Sequence, residues 1–416
     1  KKLIKFRISL KIRGIIYLVS KKRFTMHVLS GWLSLSFFRY MKNHRLIASL
    51  ILLKLLLPVM TSAKSTLAER VDQAMQRELA EQELIGLAVG IISNGKILHI
   101  NTYGLADREN NTPITRNTMF RWASVSKSIT AVAGMQLWER GDLVLDNEPQ
   151  RYVMEFPDKE ANIKVWHLFC HMGGIVHYNN GKVIRTQREY PVVHPYESVI
   201  YALDKFKESP LINPPGTKFS YTTHGFILLS AVVERAGKQK FSYQVQNRIA
   251  KPMKMESLQP DYKWVNIPRR ALGYRKRNGK IIVSTDTDAG WKVGGGGFIS
   301  NIDDFAKFAA GLLNHRFVNP ATRQKMWTPQ QTKGGEKLGY GLGFSLNYFK
   351  GGIIRSWKPN GTGIKTFGHS GSMEKAKTLM ILLPQLQQGV VVMSNSEYAN
   401  SRKIAEQLLR IISSVD

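Results

Sequence analysis

The spacing of apolar residues first changes from a helical to a strand period between residues 67 and 103. Leu67 to Leu84 carries apolar residues at helical spacing among charged ones, which predicts an amphipathic helix. Leu87 to Ile92 is a short apolar run, and residues 96–103 alternate like a partner strand. The Asn-Gly within Ser93-Asn94-Gly95 tolerates the positive φ angles of a tight turn, so this segment predicts a hairpin.

Helical patterns dominate the middle of the chain. A long pattern begins at Ser124, runs to about Glu139 and is stopped by Gly141. From there to about residue 290 the sequence indicates helix and loop with little strand character, apart from a charged hairpin at Asn278-Gly279. After a glycine run at 294–297, the capping-box spacing from Ser300 predicts a helix that ends near Leu313.

The last hundred residues return to strands and close with a helix. Short apolar runs at 363–367, 378–383 and 390–393 predict strands, and residues 401–412 have helical spacing. This order predicts an α+β fold, with an antiparallel sheet made from both chain ends and flanked by helices. A helical region is inserted at about 116–290, and its border with the sheet is a natural cleft.

Composition narrows the class of protein. The chain has 416 residues, is 43% hydrophobic and contains one cysteine. The hydrophobic content argues for a folded protein, and a single cysteine excludes an intramolecular disulfide framework or a multi-cysteine metal site. We expect no metal and no cofactor, and the sequence predicts no particular oligomeric state.

The formal net charge of +30 first suggests nucleic-acid binding. However, residues 1–63 hold 13 Lys and Arg and no acidic residue, so the remaining chain carries only +17. No recognised nucleic-acid motif accompanies this charge, and we expect no specific nucleic-acid partner. The excess suits a protein that works near anionic envelope polymers or a membrane surface.

Residues 1–63 are predicted to be a leader, made of an upstream segment and an export signal that starts at Met41. Basic residues follow Met41, a mostly apolar run spans Leu46 to Met60, and Thr61-Ser62-Ala63 offers small residues for cleavage. We expect a periplasmic or secreted protein. An uncleaved membrane anchor and a mitochondrial transit peptide are the alternatives, the latter because the leader is basic and acid-free.

Ser124-Val125-Ser126-Lys127 fits the pattern Ser-x-x-Lys, which suits nucleophilic catalysis. A serine hydroxyl needs a base beside it, and side chains at i and i+3 of a helix lie on one face. Partial burial lowers the pKa of a lysine until its amine can accept a proton. The pattern occurs twice more, at Ser93…Lys96 and Ser372…Lys375, but only Ser124 opens a long helix. A plain helix-capping serine is the alternative for Ser124.

Two further segments, taken in chain order with Ser124, give a specific pattern. They are Phe219-Ser220-Tyr221-Thr222-Thr223 and His369-Ser370-Gly371. With these, residues 68–412 resemble the serine β-lactamase and penicillin-binding-protein superfamily, in particular its class C β-lactamase-like branch. Supporting segments with the same resemblance include 167–175, Pro215-Gly216, Gly295-Gly296 and 340–344.

The resemblance implies roles for individual residues. Ser124 would be the acylated nucleophile, Lys127 would take or orient its proton, and Tyr221 would be the second acid/base. The backbone N–H groups of Ser124 and of Ser372, just after Gly371, would form the oxyanion hole. His369 would offer a donor to the substrate.

Two positions depart from the β-lactamase pattern. Thr223 stands where Asn is usual, so the amide that helps bind an acylamido group is absent. His369 stands where the β-lactamases have Lys, and His is at most partly charged at pH 7. These departures lower the expectation of β-lactam hydrolysis and leave acyl transfer intact.

The sequence thus predicts a hydrolase domain at 64–416 that forms an acyl-enzyme on peptide, amide or ester substrates, such as D-Ala-D-Ala peptidoglycan stems. The alternatives are a true β-lactamase and a non-catalytic structural or assembly protein with the same fold. His167 and His171 resemble a zinc pair, but no Glu follows His167 as metalloproteases require. Cys170 is adjacent to His171, and neighbouring helical side chains point apart, so a cysteine nucleophile is not expected.

Overall fold

The computed structural model describes residues 8–12, 15–20, 23–28 and 31–35, and then residues 65–413. Contacts divide the chain into two compact units, residues 1–64 and 65–416. In the first unit the four short segments form an antiparallel sheet in chain order. The predicted export signal from Met41 to Ala63 lies outside the described residues.

The second unit contains nine α-helices among the described residues. Their bounds are α1 Leu67–Glu81, α2 Ser126–Glu139, α3 Val165–Phe169, α4 Thr223–Ala236, α5 Phe241–Val245, α6 Val293–Gly296, α7 Ile302–Leu313, α8 Pro320–Met326 and α9 Ser401–Ser413. None of the helices in residues 65–413 is both long and apolar enough to cross a membrane.

The strands of this unit form one large sheet and two small ones. Their bounds are β1 Gly86–Ser93, β2 Lys96–Asp107, β3 Thr112–Pro113, β4 Phe120–Arg121, β5 Gln259–Pro260, β6 Tyr274–Arg277, β7 Lys280–Val283, β8 Phe298–Ser300, β9 Ser345–Lys350, β10 Ile353–Ser356, β11 Ile364–Met373, β12 Ala376–Leu383 and β13 Gln388–Ser394. The large sheet has the order β10-β9-β11-β12-β13-β1-β2-β3 and is antiparallel throughout. The small sheets are β4-β8-β5 and the hairpin β6-β7.

The sheet is joined in its middle by strands from the two ends of the domain. Val390 of β13 pairs with Ile91 of β1, and all seven residues of β13 are buried. A strand that is apolar on both sides requires a helical layer on each face. Helices α1 and α9 pack together over one face, and α7 packs on β13 and β1 from the other.

The predicted α+β architecture is confirmed, including the sheet from both chain ends and the flanking helices. Helix α7 begins one residue later than the capping box at Ser300 predicts, because the Asn301 side chain accepts the N–H of Asp304 and caps the helix. Ser300 instead accepts a hydrogen bond from the Trp122 indole at 2.7 Å. Strands β9 and β10 were not predicted from the sequence.

Candidate active site

Ser124 lies in a tight turn that leads directly into α2. Residues Ala123–Val125 form a single 3₁₀ turn, and Ala123 has a φ of 47°, in the left-handed region that few residues with a Cβ adopt. Such strain persists only where the surrounding contacts determine the backbone, and it concentrates at functional sites. The turn therefore holds Ser124, which is half-buried, at the mouth of the helix.

Three hydrogen bonds of Trp122 hold this turn in place. Its backbone N–H donates to Phe298 O at 2.8 Å, and its carbonyl accepts from Thr378 Oγ1 at 2.8 Å. Its fully buried indole donates to Ser300. These contacts connect the turn Ala123–Val125, called the nucleophile turn below after the predicted role of Ser124, to the small sheet through β8 and to the large sheet through β12.

Lys127 is fully buried one helical turn after Ser124. Its Nζ lies 3.0 Å from Ser124 Oγ, 3.2 Å from Thr223 Oγ1 and 2.6 Å from Gly295 O. Within residues 65–413 no carboxylate comes within 4 Å of this nitrogen. Burial, together with the nearby charge of Lys292, holds the pKa of Lys127 well below its ordinary value. The geometry thus places a buried amine with a lowered pKa against the serine hydroxyl.

Tyr221 lies beside this pair. Lys127 Nζ is 4.9 Å from the centre of the Tyr221 ring, and the Tyr221 hydroxyl interacts with Ser124. Burial raises the pKa of Tyr221, while the Ser124 hydrogen bond acts in the opposite direction. Tyr221 is therefore a neutral phenol that holds its proton, and Ser124, Lys127 and Tyr221 form one cluster.

His369 lies within the same cluster but is turned into the protein. Its Nδ1 is 2.6 Å from Ser370 O and its Nε2 is 2.9 Å from the Tyr340 hydroxyl. A carbonyl oxygen only accepts, so Nδ1 carries the proton and Nε2 accepts from Tyr340. Burial, with the neighbouring Lys127, lowers the pKa of His369 to about 3. Both ring nitrogens are engaged within the protein, so the donor predicted for the substrate is used on Ser370.

Strand β11 comes against the nucleophile turn at Gly371. A Cβ added there would lie 2.5 Å from Trp122 O and 3.0 Å from the Ala123 Cβ, and it would overlap Thr378 Oγ1. Only glycine allows this approach. The next residue, Ser372, is exposed, and its hydroxyl accepts from Lys377 at 3.2 Å.

The competing motifs have other roles. Lys375, three residues after Ser372, sits at a φ of 70° in the hairpin turn and pairs with Asp286. Ser93 ends β1 at the predicted turn, where Asn94 and Gly95 have φ angles of 50° and 68°. In the described part of the chain, neither serine hydroxyl is hydrogen-bonded to the side chain of its motif lysine.

The predicted zinc pair, His167 and His171, and the neighbouring Cys170 are held by contacts within the protein. His167 accepts from the Lys164 N–H at 3.0 Å and His171 from the Thr222 N–H at 3.1 Å. Cys170 is buried, which raises the pKa of its thiol. Among residues 65–413 there is no group of three His, Cys, Asp or Glu placed to hold a metal ion.

Several site residues carry no sequence signal for their contacts. The Gly295 carbonyl receives the shortest hydrogen bond of Lys127, and a Cβ on Gly295 would lie 2.5 Å from Thr223 Cγ2. The His171 ring lies 4.3 Å from that of Tyr221, centre to centre. Gly295, His171 and Tyr340 fall within segments that carry the resemblance, which is the one signal that could have found them.

Buried histidines in and around the site predict a loss of stability in acid. Unfolded histidine titrates near 6.5, so the unfolded chain takes up protons below that pH while these rings stay neutral until about pH 4 or lower. The free energy of unfolding should therefore fall as the pH drops from about 6.5 towards 4. Burial is the main cause of each lowered pKa, which is about 4 for His167, His177 and His224 and about 3 for His369.

Thermal unfolding at pH 7.5 and 5.5 measures this dependence, and we expect the midpoint to fall by on the order of 10 °C. His224→Gln should reduce the dependence, because it removes one ring that stacks on Phe206 at 4.6 Å. Equal unfolding midpoints at both pH values would contradict the lowered pKa values of these histidines.

Comparisons with known proteins agree with this architecture. The Beta-lactamase family model matches residues 71–412. The human serine beta-lactamase-like protein LACTB, mitochondrial, is 29% identical over 322 residues, covering 59% of this chain and 59% of that protein. Esterase EstB of Burkholderia gladioli is 30% identical over 200 residues, 46% of this chain and 51% of the esterase. The chain thus spans about three fifths of the length of the LACTB relatives.

Solved structures share the fold. EstCE1, described as a hydrolase with promiscuous acyltransferase activity, has a TM-score of 0.68 at 20% identity over 83% of this chain and 98% of that chain. An octameric penicillin-binding protein homologue from Pyrococcus abyssi has a TM-score of 0.67 at 23% identity over 83% and 77%. With a family model that covers most of its length and a matching fold, this chain belongs to the Beta-lactamase family, within the serine β-lactamase and penicillin-binding-protein superfamily.

Proposed function

We propose that the chain is a serine hydrolase that forms an acyl-enzyme at Ser124. The observation that carries the proposal is the buried Lys127 amine, 3.0 Å from Ser124 Oγ and without an acidic partner among the described residues. A structural lysine is normally exposed or paired with a carboxylate, because burial of an unpaired charge is costly. A neutral amine beside a serine is the arrangement that nucleophilic catalysis needs.

The contacts of Lys127 fit a neutral amine. A neutral amine has two N–H donors and one lone pair. Gly295 O can only accept, and Thr223 Oγ1 can accept the second N–H, which leaves the lone pair for the Ser124 hydroxyl proton. Lys127 is therefore our candidate for the base of acylation.

Acylation then proceeds with a balanced transfer of the proton. Ser124 Oγ bonds to the substrate carbonyl carbon as its proton passes to Lys127, and the carbonyl electron pair moves to oxygen. The backbone N–H groups of Ser124 and Ser372 would hold that oxyanion, since Gly371 brings their two segments together. The bond to the leaving group breaks as that group takes a proton.

Tyr221 is the proposed donor to the leaving group, because its raised pKa keeps the phenol protonated. The proton gained by Lys127 then returns to Tyr221. In deacylation, the water oxygen bonds to the acyl carbon and one water proton passes through Tyr221 and Lys127 to Ser124 Oγ. The bond between Ser124 Oγ and the acyl carbon breaks. The acid product leaves, and Ser124 regains its hydroxyl.

The substrates we propose are esters, amides or peptides, including D-Ala-D-Ala-type stems. The similarity to an esterase supports ester substrates. A true β-lactamase is disfavoured, because neutral His369 does not supply the cation that the third β-lactamase motif presents. A non-catalytic assembly protein with this fold is the other outcome of the test below.

We propose a mitochondrial location for the protein. The LACTB relatives of human, mouse and cattle are each described as mitochondrial, and residues 1–63 are basic and free of acid, as transit peptides are. Export to a periplasm has no comparable support.

The direct test is covalent labelling of residues 1–416 with a fluorophosphonate, followed by peptide mapping. We expect one adduct, located on Ser124, and none after Ser124→Ala. The matched controls are Ser93 and Ser372, the other serines followed by lysine at i+3, which should stay unlabelled. Folded protein that forms no adduct at Ser124 would overturn the mechanism and favour the non-catalytic alternative.

A further inference from the structure

A second lysine, Lys292, lies beside the candidate site. It ends the 3₁₀ turn Gly290–Lys292, immediately before the glycine segment whose Gly295 carbonyl receives Lys127. Its backbone N–H donates to Ala289 O at 3.1 Å, and its side chain is half-buried. The main chain at this point is thus fixed by the same segment that positions the general base.

The Lys292 ammonium group is not paired with an acid of residues 65–413. In residues 65–413 it makes no side-chain hydrogen bond, and no carboxylate lies within 4 Å of it. The acidic groups whose charges reach it are each engaged elsewhere. Asp261 pairs with Arg121, Glu374 accepts from Thr287 and Asp288 accepts from the Gly290 N–H.

Two aromatic rings lie near the ammonium group. Lys292 Nζ lies 5.9 Å from the centre of the Tyr178 ring and 5.8 Å from that of Trp291. Such faces stabilise a cation without neutralising it. The charge is therefore held in place and remains available to an anion.

Contacts between rings connect Lys292 to the catalytic cluster. The Tyr178 ring lies 4.2 Å from that of His177, which lies 5.8 Å from Tyr221 and accepts the Thr223 N–H at 3.2 Å. The charge of Lys292 also contributes to the lowered pKa of both Lys127 and His177. A ligand on Lys292 would accordingly lie next to a group bound at Ser124.

We propose that Lys292 binds a carboxylate of the substrate and makes this site selective for anionic acyl or leaving groups. The inference rests on the proposed acyl-enzyme function. The proposal also provides the positive charge that His369 does not supply, because His369 is neutral and its ring nitrogens are engaged with Ser370 and Tyr340. Lys292 then supplies the positive charge from a different element of the fold.

Two matched pairs of esters test selectivity on each side of the scissile bond. The acyl-side pair is mono-4-nitrophenyl adipate and 4-nitrophenyl hexanoate, and the leaving-group pair is 3-carboxyphenyl acetate and 3-methylphenyl acetate. We expect Lys292→Gln to lower kcat/KM for the carboxylate member of at least one pair by about 10- to 100-fold, the effect of losing a charge-assisted hydrogen bond. The neutral members, which report only the loss of the charge that lowers the pKa of Lys127, should fall clearly less than the carboxylate members.

The control is Lys325→Gln, which removes a lysine that lies 5.5 Å from the Trp138 ring. It should leave all four rates unchanged, and Lys292→Arg should retain part of the preference. Equal effects of Lys292→Gln on charged and neutral members, or no effect on either, would overturn the proposal.

A binding measurement separates this proposal from the function on which it rests. In the Ser124→Ala background, calorimetry compares N-acetyl-Ala-Ala with its C-terminal amide, with and without Lys292→Gln. Binding of the acid that is at least about 10-fold tighter than the amide, and lost in Lys292→Gln, supports the subsite even if Ser124 forms no adduct. Equal binding of acid and amide, together with equal turnover of the ester pairs, rejects it even if Ser124 is the nucleophile.

Discussion

Lys127→Met is expected to lower kcat/KM for any ester substrate by about 10⁴-fold or more, a loss of the size seen when a unit of nucleophile and base is broken. Methionine nearly matches the length of the lysine side chain but has no lone pair that can accept the Ser124 proton. The hydroxyl would remain in place without an activating base. Only background reaction in the oxyanion hole would persist.

The same substitution is expected to raise the free energy of unfolding. Lys127 is fully buried, and residues 65–413 supply no carboxylate to it, so the folded protein bears the cost of desolvating its amine. A thioether removes that cost and keeps the packing against Tyr221 and Phe226. Measured on the same preparation, the melting point should therefore rise while kcat/KM falls.

Lys325→Met provides the comparison. It makes the identical replacement at an exposed lysine on the Trp138 ring, and it should change neither quantity. Lys127→Met protein that retains more than about one per cent of the wild-type rate would rule out Lys127 as the base. A melting point well below that of the wild type would show that the amine is structural.

Gly371→Ala is expected to reduce kcat/KM by about 10²- to 10³-fold, the effect of losing one oxyanion-hole donor. The new methyl group would meet Trp122 O at 2.5 Å and overlap Thr378 Oγ1, so β11 would have to move away from the nucleophile turn. The proposed donor of Ser372 would move with it. Crystal structures of the variant and of the wild type would measure this separation directly.

Gly334→Ala is the matched control for Gly371. A Cβ at Gly334 would meet only Thr332 Oγ1, at 3.8 Å, and the substitution should leave the rate unchanged. A fully active Gly371→Ala protein with a native melting point would show that the approach of β11 is dispensable. Loss of folding in Gly371→Ala alone would be recognised by circular dichroism and would assign the glycine to stability.

Local patterns account for much of the fold. The helix at 67–84, the hairpin at Asn94-Gly95 and the closing helix all follow from residues near one another in sequence, and each matches an element of the structure. The strand β9 was missed although it pairs with β10 directly after it in sequence. Its other partner is β11, where Leu346 pairs with Phe367 and is buried by the sheet as a whole. Tertiary burial, and not local period, determines such a strand.

The candidate site divides in the same way. Ser124 and Lys127 lie one helical turn apart, so their proximity follows from helix geometry. The other groups reach them across long stretches of chain, as Gly295 does from 168 positions away. The tautomer of His369 depends on Ser370 and Tyr340 together, and the open charge of Lys292 depends on which acids are already engaged. Sequence patterns contain none of these facts.

The pairing of β1 with β13 has a consequence for biosynthesis. Residues 86–93 leave the ribosome well before their partner at 388–394, because residues 94–387 are synthesised between them. Until then β1 has an unpaired edge, which is a template for aggregation, and closing so long a loop is slow. The approach of Gly371 to the 123–125 turn likewise waits until β11 and β12, residues 364–383, have been synthesised. Nascent protein would need protection by chaperones while residues 94–387 are synthesised.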